Sequence, residues 1–305
     1  DTGGDQKGLN DAKQIALQLD LPFHVTNIEA ELEEHVCKPF VDAYLHGCTP
    51  IPCAICNPMV KFPALFHLAE QVGAKYVATG HYARIIQQDG QFCLAKGHPS
   101  NDQSYLLSRL TREMLPFILF PLGAYEKKQV RELAENVDLP VSQKPDSMEI
   151  CFIPDGDYAA WIERRGQFPP PGDFIDQNGV VVGKHKGIHH YTIGQRRGLQ
   201  LALGHPVFVS SIDALHNQIT VSENKDLFMS ETRCVSPNWL SISSLQEPKQ
   251  VEVKLRHTKQ VLPAVISMED DTVLIALSSP ARAPTPGQLA VFYEHDIVVG
   301  SGFLI

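Results

Sequence analysis

The residues best equipped for chemistry in this sequence are cysteines. Cys53 and Cys56 form a Cys-x-x-Cys on a turn after Pro52, just ahead of an apolar helical stretch. A thiol at a helix N-terminus sits in positive potential, which favours the thiolate, the form that attacks carbon and sulfur. A buried structural pair is the competing reading. Cys151 follows the polar stretch Lys144, Pro145, Asp146, Ser147 and lies among Ile150, Phe152 and Ile153. Taken singly it reads as a core residue, as do Cys93 and Cys234 in their strand-like contexts. A four-ligand zinc site needs a second pair. No second Cys-x-x-Cys exists, although Cys37 or Cys48 could complete a set, and no metal site is assigned.

Composition narrows the class. The chain has 305 residues, enough for two or three domains. Hydrophobic residues make up 43% and charged residues 20%, an ordinary globular balance. No run of 18 apolar residues occurs, so no membrane span is expected. The polar opening DTGGDQKGLNDAK has no signal-peptide core, and seven cysteines cannot all pair. Both features fit reduced thiols and a cytoplasmic location. The net charge of -9 argues against wholesale binding of nucleic acid. Local basic groups remain available for phosphate: Arg164 with Arg165, Lys184 to Lys186, Arg196 with Arg197, and Lys254 to Lys259. Solvated faces are the plainer reading of each.

The elements that must position these residues follow from periodicity. Leu9, Ala12, Ile15, Ala16 and Leu19 share one helical face, and residues 23–27 read as a short buried strand. A second helix is predicted over 28–46, with Val36, Phe40, Val41 and Tyr44 on one stripe, and a third over 59–72. Residues 75–79 (KYVAT) read as a strand ending in Gly80 and His81. This alternation predicts a doubly wound α/β domain, whose ligands bind at the carboxyl ends of the strands. A hairpin is expected around Asp89–Gly90, and a helix over 125–137 with Val130, Leu133, Ala134 and Val137 inward. From about residue 156 Pro and Gly become dense, and from about 229 short β-type runs alternate with turns, as in a small barrel. The predicted division is a partial nucleotide-binding α/β domain over 1–155, a β-rich central domain over 156–228 and a C-terminal β-barrel over 229–305.

Seven blocks, in order, carry a resemblance: TPIPCAICNPMVKF, GAKYVATGHYARI, SNDQSYLLSRL, LFPLGAYEKKQVRELAE, KPDSMEICFIP, YTIGQRRGL and TPGQLAVFY. Together they resemble the bacterial tRNA-specific 2-thiouridylases across nearly the whole chain. The resemblance implies a PP-loop ATPase-like domain followed by tRNA-binding domains. It implies ATP with magnesium, tRNA and a persulfide sulfur-donor protein as partners. ATP would adenylate the 2-oxo group of the wobble uridine, and sulfur would then displace AMP. Cys151 matches the persulfide carrier and Cys56 its partner thiol, the two closing a disulfide as the sulfur leaves. Gly80 matches a backbone contact to ATP and His81 a contact to tRNA. Ile51, Pro52 and Cys53 match the stretch that frames the target base. Asn101, Asp102 and Gln103 match a tRNA-contacting turn; Arg256 and His257 match a tRNA contact in the barrel, and Gln288 another.

Two departures bear on activity. The family's Ser-Gly-Gly-x-Asp-Ser loop around the ATP phosphates is absent, and Thr2, Gly3, Gly4 and Asp5 are a poor substitute. The sequence therefore reads as a nucleotide domain entered after its second strand, unable to adenylate by itself. An inactive tRNA-binding remnant is the alternative. Many family members also carry Asp where Cys53 stands. Cys53, Cys56 and Cys151 could instead hold an iron–sulfur cluster with one iron open. A thiol–disulfide or zinc protein built on the Cys-x-x-Cys alone is the remaining competitor.

Overall fold

A computed structural model describes residues 6–139, 150–166, 168–258 and 260–305. Thr2 to Asp5, Asp146, Ser147 and Lys259 lie outside them. The chain divides into two compact units. The first comprises residues 1–37, 52–156 and 296–298, the second 38–51, 157–295 and 299–305. Among the described residues no helix is long and apolar enough to cross a membrane.

The first helix, α1, spans Gln6–Gln18. The extended segment that follows forms no strand among the described residues: residues 21–28 join no ladder there, and Phe23 and Val25 are exposed. Apolar alternation alone does not make a strand, because the ladder needs a partner in register. The helix expected over 28–46 comes as α2 (Glu29–Leu32), a π-helical turn Glu33–Cys37 and α3 (Lys38–Leu45), with Val36, Phe40 and Tyr44 buried as predicted. The next helical run starts earlier than expected. It comprises α4 (Pro52–Cys56), a π-helical turn Asn57–Lys61 and α5 (Phe62–Gln71). Cys53 and Cys56 thus lie inside a helical turn. Pro52 opens that turn, where its missing N–H costs nothing.

The KYVAT strand is trimmed to β1 (Val77–Ala78). A hairpin follows, β2 (Ala83–Gln88) and β3 (Gln91–Lys96), turning on Asp89 at φ 52° and Gly90 at φ 78°. Both central residues have positive φ, the type I′ geometry that suits the strand twist. After α6 (Ser104–Leu107), β4 (Ile118–Leu119) pairs parallel with β1, Val77 opposite Ile118. Helix α7 (Lys127–Asn136) opens with a reciprocal cap, in which the Glu126 N–H donates to Gln129 Oε1 at 2.8 Å. Its predicted inward stripe is only half covered: Val130 and Ala134 are partly buried, while Leu133 and Val137 are each 51% exposed.

The second unit holds α8 (Tyr158–Glu163), capped by the Asp157 carboxylate accepting from the Ala160 N–H at 3.0 Å. A four-stranded sheet follows from β5 (Gly172–Ile175), β6 (Val181–His185), β7 (Phe208–Asp213) and β8 (Gln218–Ser222), in the order β6-β5-β8-β7. Phe174, Ile188, Val209 and Ile219 fill its core. The remaining strands are β9 (Phe228–Trp239), β10 (Lys249–Lys254), β11 (Leu262–Glu269), β12 (Thr272–Arg282), β13 (Leu289–Glu294) and β14 (Ile297–Leu304). They run β13-β10-β11-β12-β9-β14, and β13 also pairs with β14, so the six close into a barrel with no free edge. Burial alternates along β11 and the start of β12, whereas β13 and most of β14 are buried on both faces; Val253, Ile266, Ile275, Phe292 and Val299 are fully enclosed.

Candidate functional site

In the first unit the helical run from Pro52 carries both thiols of the Cys-x-x-Cys. Asn57 anchors it, donating from Nδ2 to the Leu106 carbonyl at 3.1 Å from a buried position. Cys151 lies within electrostatic reach of both Cys53 and Cys56, so the structure brings the three thiols into one neighbourhood. Cys53 and Cys151 are exposed and Cys56 is half-buried.

The expectation of a depressed thiol pKa is not met. Desolvation pushes Cys56 up to about 11, with Cys151 and Cys53 adding to the rise. Lys61 and its backbone N–H act in the opposite sense. Cys53 is raised too, by desolvation first and by Cys151 second, again opposed by Lys61. Although Cys53 is exposed as a residue, surrounding protein still desolvates its sulfur. A single helical turn offers a weaker field than the loss of water takes away.

Lys61 was not singled out by the sequence. On a regular α-helix, a residue five places after Cys56 points well away from it. The π-helical turn Asn57–Lys61 takes up one extra residue per turn and returns Lys61 to the thiol side. The available signal was the one basic side chain in the block that carries both thiols.

At the carboxyl end of β1, Gly80 is exposed and His81 is partly buried, where an α/β sheet places its ligands. The His81 ring stacks on Phe62 at 6.2 Å between centroids and meets Phe120 edge-on at 5.9 Å. Its Nδ1 lies 2.8 Å from Thr79 Oγ1. Burial, aided by Lys61, lowers its pKa to about 4, so the imidazole is neutral at physiological pH.

Of the expected tRNA-contacting turn, two side chains are committed inside the protein. Asp102 Oδ1 accepts from the N–H groups of Gly97 and Ser104, and Gln103 Oε1 accepts from the Tyr82 N–H at 2.8 Å. These bonds fix the chain just after His81. Asn101 reaches the Tyr125 carbonyl at 3.4 Å. Of the residues expected to frame a base, Pro52 and Cys53 belong to the first unit and Ile51 to the second.

In the second unit the basic group of the barrel is less open than its sequence suggests. Lys254 is buried, with its ammonium 5.3 Å from the Tyr293 ring centroid. The Arg256 guanidinium donates to the Ala283 carbonyl and to Thr285 Oγ1 at 3.1 Å. His257 is exposed. Gln288 Nε2 donates to the Thr49 carbonyl at 2.9 Å, and the Thr49 N–H donates to the Pro286 carbonyl, which together tie down the residues ahead of Ile51.

Comparison with known proteins decides the family. Residues 2–155 match a domain model described as a tRNA methyl transferase HUP domain. Residues 160–223 match a tRNA methyl transferase PRC-barrel domain, and 229–304 an aminomethyltransferase beta-barrel domain. The chain is 44% identical over 299 residues to the tRNA-specific 2-thiouridylase MnmA of Clostridium perfringens, covering 97% of this chain and 83% of that protein. Its counterparts in Clostridioides difficile and Koribacter versatilis are 42% identical over 301 residues and 43% over 304. These cover 97% and 96% of this chain, and 83% and 82% of the relatives. The chain belongs to the tRNA-specific 2-thiouridylase family. As a member of that family it joins an α/β domain carrying clustered thiols to a small β-sheet domain and a closed barrel.

Proposed function

We propose that the protein thiolates the wobble uridine of tRNA at position 2. The observation that carries this reading is the meeting of Cys53, Cys56 and Cys151 in the first unit, in a chain whose relatives are named tRNA-specific 2-thiouridylases.

The chemistry divides into two steps. The uridine O2 attacks the α-phosphorus of ATP, pyrophosphate leaves, and the carbonyl oxygen becomes part of an AMP leaving group; magnesium, if bound, would neutralise charge on the phosphates. A persulfide on Cys151, loaded by a sulfur-donor protein, then attacks C2 with its terminal sulfur and AMP departs. Cys56 attacks the inner sulfur of Cys151, which frees the C2 thiocarbonyl and closes a Cys56–Cys151 disulfide. A thiol reductant restores both residues at a cost of two electrons. The raised Cys56 pKa supports its late role: a protonated thiol does not intercept the persulfide early, and Lys61 stands by to favour the thiolate. Gly80 would approach ATP through its backbone, and neutral His81 would offer its remaining nitrogen to the RNA. Asn101, Asp102, Gln103, Arg256, His257 and Gln288 would shape the tRNA-facing surface, with Asp102, Gln103 and Arg256 acting through the turns they hold.

A second reading has its own support, since Cys151 acts on Cys53 as well as on Cys56. Three thiolates suit an iron–sulfur cluster with one iron left free of protein ligand. Iron and acid-labile sulfide analysis after anaerobic purification separates the two routes.

The test of the main reading is Cys151→Ser in a chain carrying a Ser-Gly-Gly-x-Asp-Ser loop. Thiouridine in digested tRNA should vanish while tRNA affinity stays within about twofold, because affinity rests on phosphate contacts rather than on a thiol. Equal thiolation by the variant and its parent overturns the persulfide role.

A further inference from the structure

In the second unit, one carboxylate and two consecutive imidazoles converge. Glu163, the last residue of α8, holds its Oε1 3.0 Å from His190 Nε2 and 3.2 Å from His189 Nε2. The two rings lie 4.4 Å apart between centroids. The side chain of His189 is 0% exposed, that of His190 25% and that of Glu163 33%. Neighbouring residues on a strand would point to opposite faces. Here the 3-10 turn Ile188–His190 brings both rings to one side. Gly187 makes the turn possible: it sits at φ 137°, and a Cβ there would come within 2.6 Å of His189 Cε1 and 2.8 Å of the Pro169 carbonyl.

Hydrogen bonding to Glu163 accounts for the two Nε2 atoms and leaves the buried ring incomplete. His189 Nδ1 is enclosed and has no partner among the described residues. The donor set is two imidazole nitrogens and one carboxylate oxygen, all within 4.8 Å of one another. In a tetrahedral complex with bonds of about 2.0–2.1 Å, adjacent donors stand roughly 3.3 Å apart. Two of the three edges already match that spacing to within a few tenths of an ångström.

We propose that Glu163, His189 and His190 bind a divalent first-row cation of the zinc type, which ties the end of α8 to the Ile188–His190 turn. Each imidazole gives its Nε2 lone pair to the cation, and any proton held between Nε2 and Glu163 Oε1 leaves to solvent. Water fills the fourth position from the side where Glu163 and His190 reach solvent. Two imidazoles favour zinc, nickel or copper over magnesium and calcium. The site is separate from the thiolation chemistry and stands whether or not that reading holds.

The test begins with a Cys53→Ser/Cys56→Ser background, so that the thiol pair does not compete for the metal. The chelator-stripped protein is titrated with zinc against a chromophoric chelator, and with cobalt by absorption. One equivalent should bind, with no thiolate-to-cobalt charge-transfer band, and saturation should raise the thermal midpoint. Glu163→Gln keeps the shape and can still bond both rings, yet it should weaken zinc by more than about a hundredfold, since even residues behind the direct ligands typically contribute 10–100-fold. His190→Gln, at the more exposed ligand, should do the same. Absence of binding, equal affinity in both variants, or a cobalt spectrum dominated by thiolate overturns the site.

Discussion

Lowering the pH from 7 to 5 should weaken the fold through His81, and replacing that residue by glutamine should remove this share of the pH dependence. The ring titrates near 6.5 when exposed and at about 4 when folded, because burial disfavours its charged form. Between those values the unfolded chain binds a proton that the folded chain refuses. Stability from the neutral ring is therefore complete above about pH 6.5 and is lost as the pH falls towards 4. At about 1.4 kcal/mol per pH unit the whole effect is about 3 kcal/mol. Roughly 0.2 kcal/mol of it is spent by pH 7 and about 2 kcal/mol by pH 5. Urea unfolding of the parent and His81→Gln at pH 7, 6 and 5 measures this directly. His185 and His189, also lowered by burial, are common to both proteins and cancel in the difference. Relative to the variant, the parent should lose about 2 kcal/mol between pH 7 and 5. Parallel pH profiles would mean that His81 is protonated in the folded protein, and the argument from its packing on Phe62 and Phe120 would fail.

With a pKa of about 11, Cys56 should alkylate slowly at neutral pH and faster with each unit up to about pH 10, as followed by mass spectrometry; Lys61→Gln should slow it further, and a rate plateau by pH 8 contradicts the assignment. Arg256→Ala strips donors from the Ala283 carbonyl and Thr285 and should cost about 2 kcal/mol in chemical unfolding; a change below about 0.5 kcal/mol would show those bonds to be unimportant. If Arg256 and Lys259 also meet phosphate, neutralising both should lower the log–log salt slope of tRNA binding by roughly 0.7–0.9 per lost contact, and an unchanged slope confines Arg256 to its structural bonds.

What the sequence made legible was mostly local. Asp89–Gly90 announces its hairpin because two consecutive positive-φ residues admit few other turns. The short β-type runs after residue 229, alternating with turns, suggest a barrel, although β13 and β14 are buried on both faces rather than alternating in and out. The thiol-bearing block is readable by resemblance, yet the pKa of Cys56 is not, because desolvation depends on what packs around the sulfur. Residues 23–27 look like a strand but have no ladder partner among the described residues, and pairing is not written in one strand. Leu133 and Val137 have helical spacing, but spacing does not say what covers a face. Lys61 escaped notice because a π-helical turn breaks the usual register. Glu163, His189 and His190 escaped it because a 3-10 turn sets two neighbours side by side, against strand alternation, opposite a residue 26 places earlier.

The first unit borrows three residues from near the far end of the chain. Asp296 is bonded to Arg84 at 2.8 Å and accepts from the Lys96 N–H, and Ile297 pairs with Ala95 beside the hairpin. During synthesis the hairpin leaves the ribosome about 200 residues before these partners do, a wait of roughly 10–40 s at ordinary elongation rates. Throughout that interval the outer edge of β3 stands unpaired, carrying the free N–H and C=O groups that invite another chain. Residues 296–298 thus act as a late-arriving clasp. A nascent chain stalled before residue 296 would present an open sheet edge, a natural mark for chaperones and proteases to read.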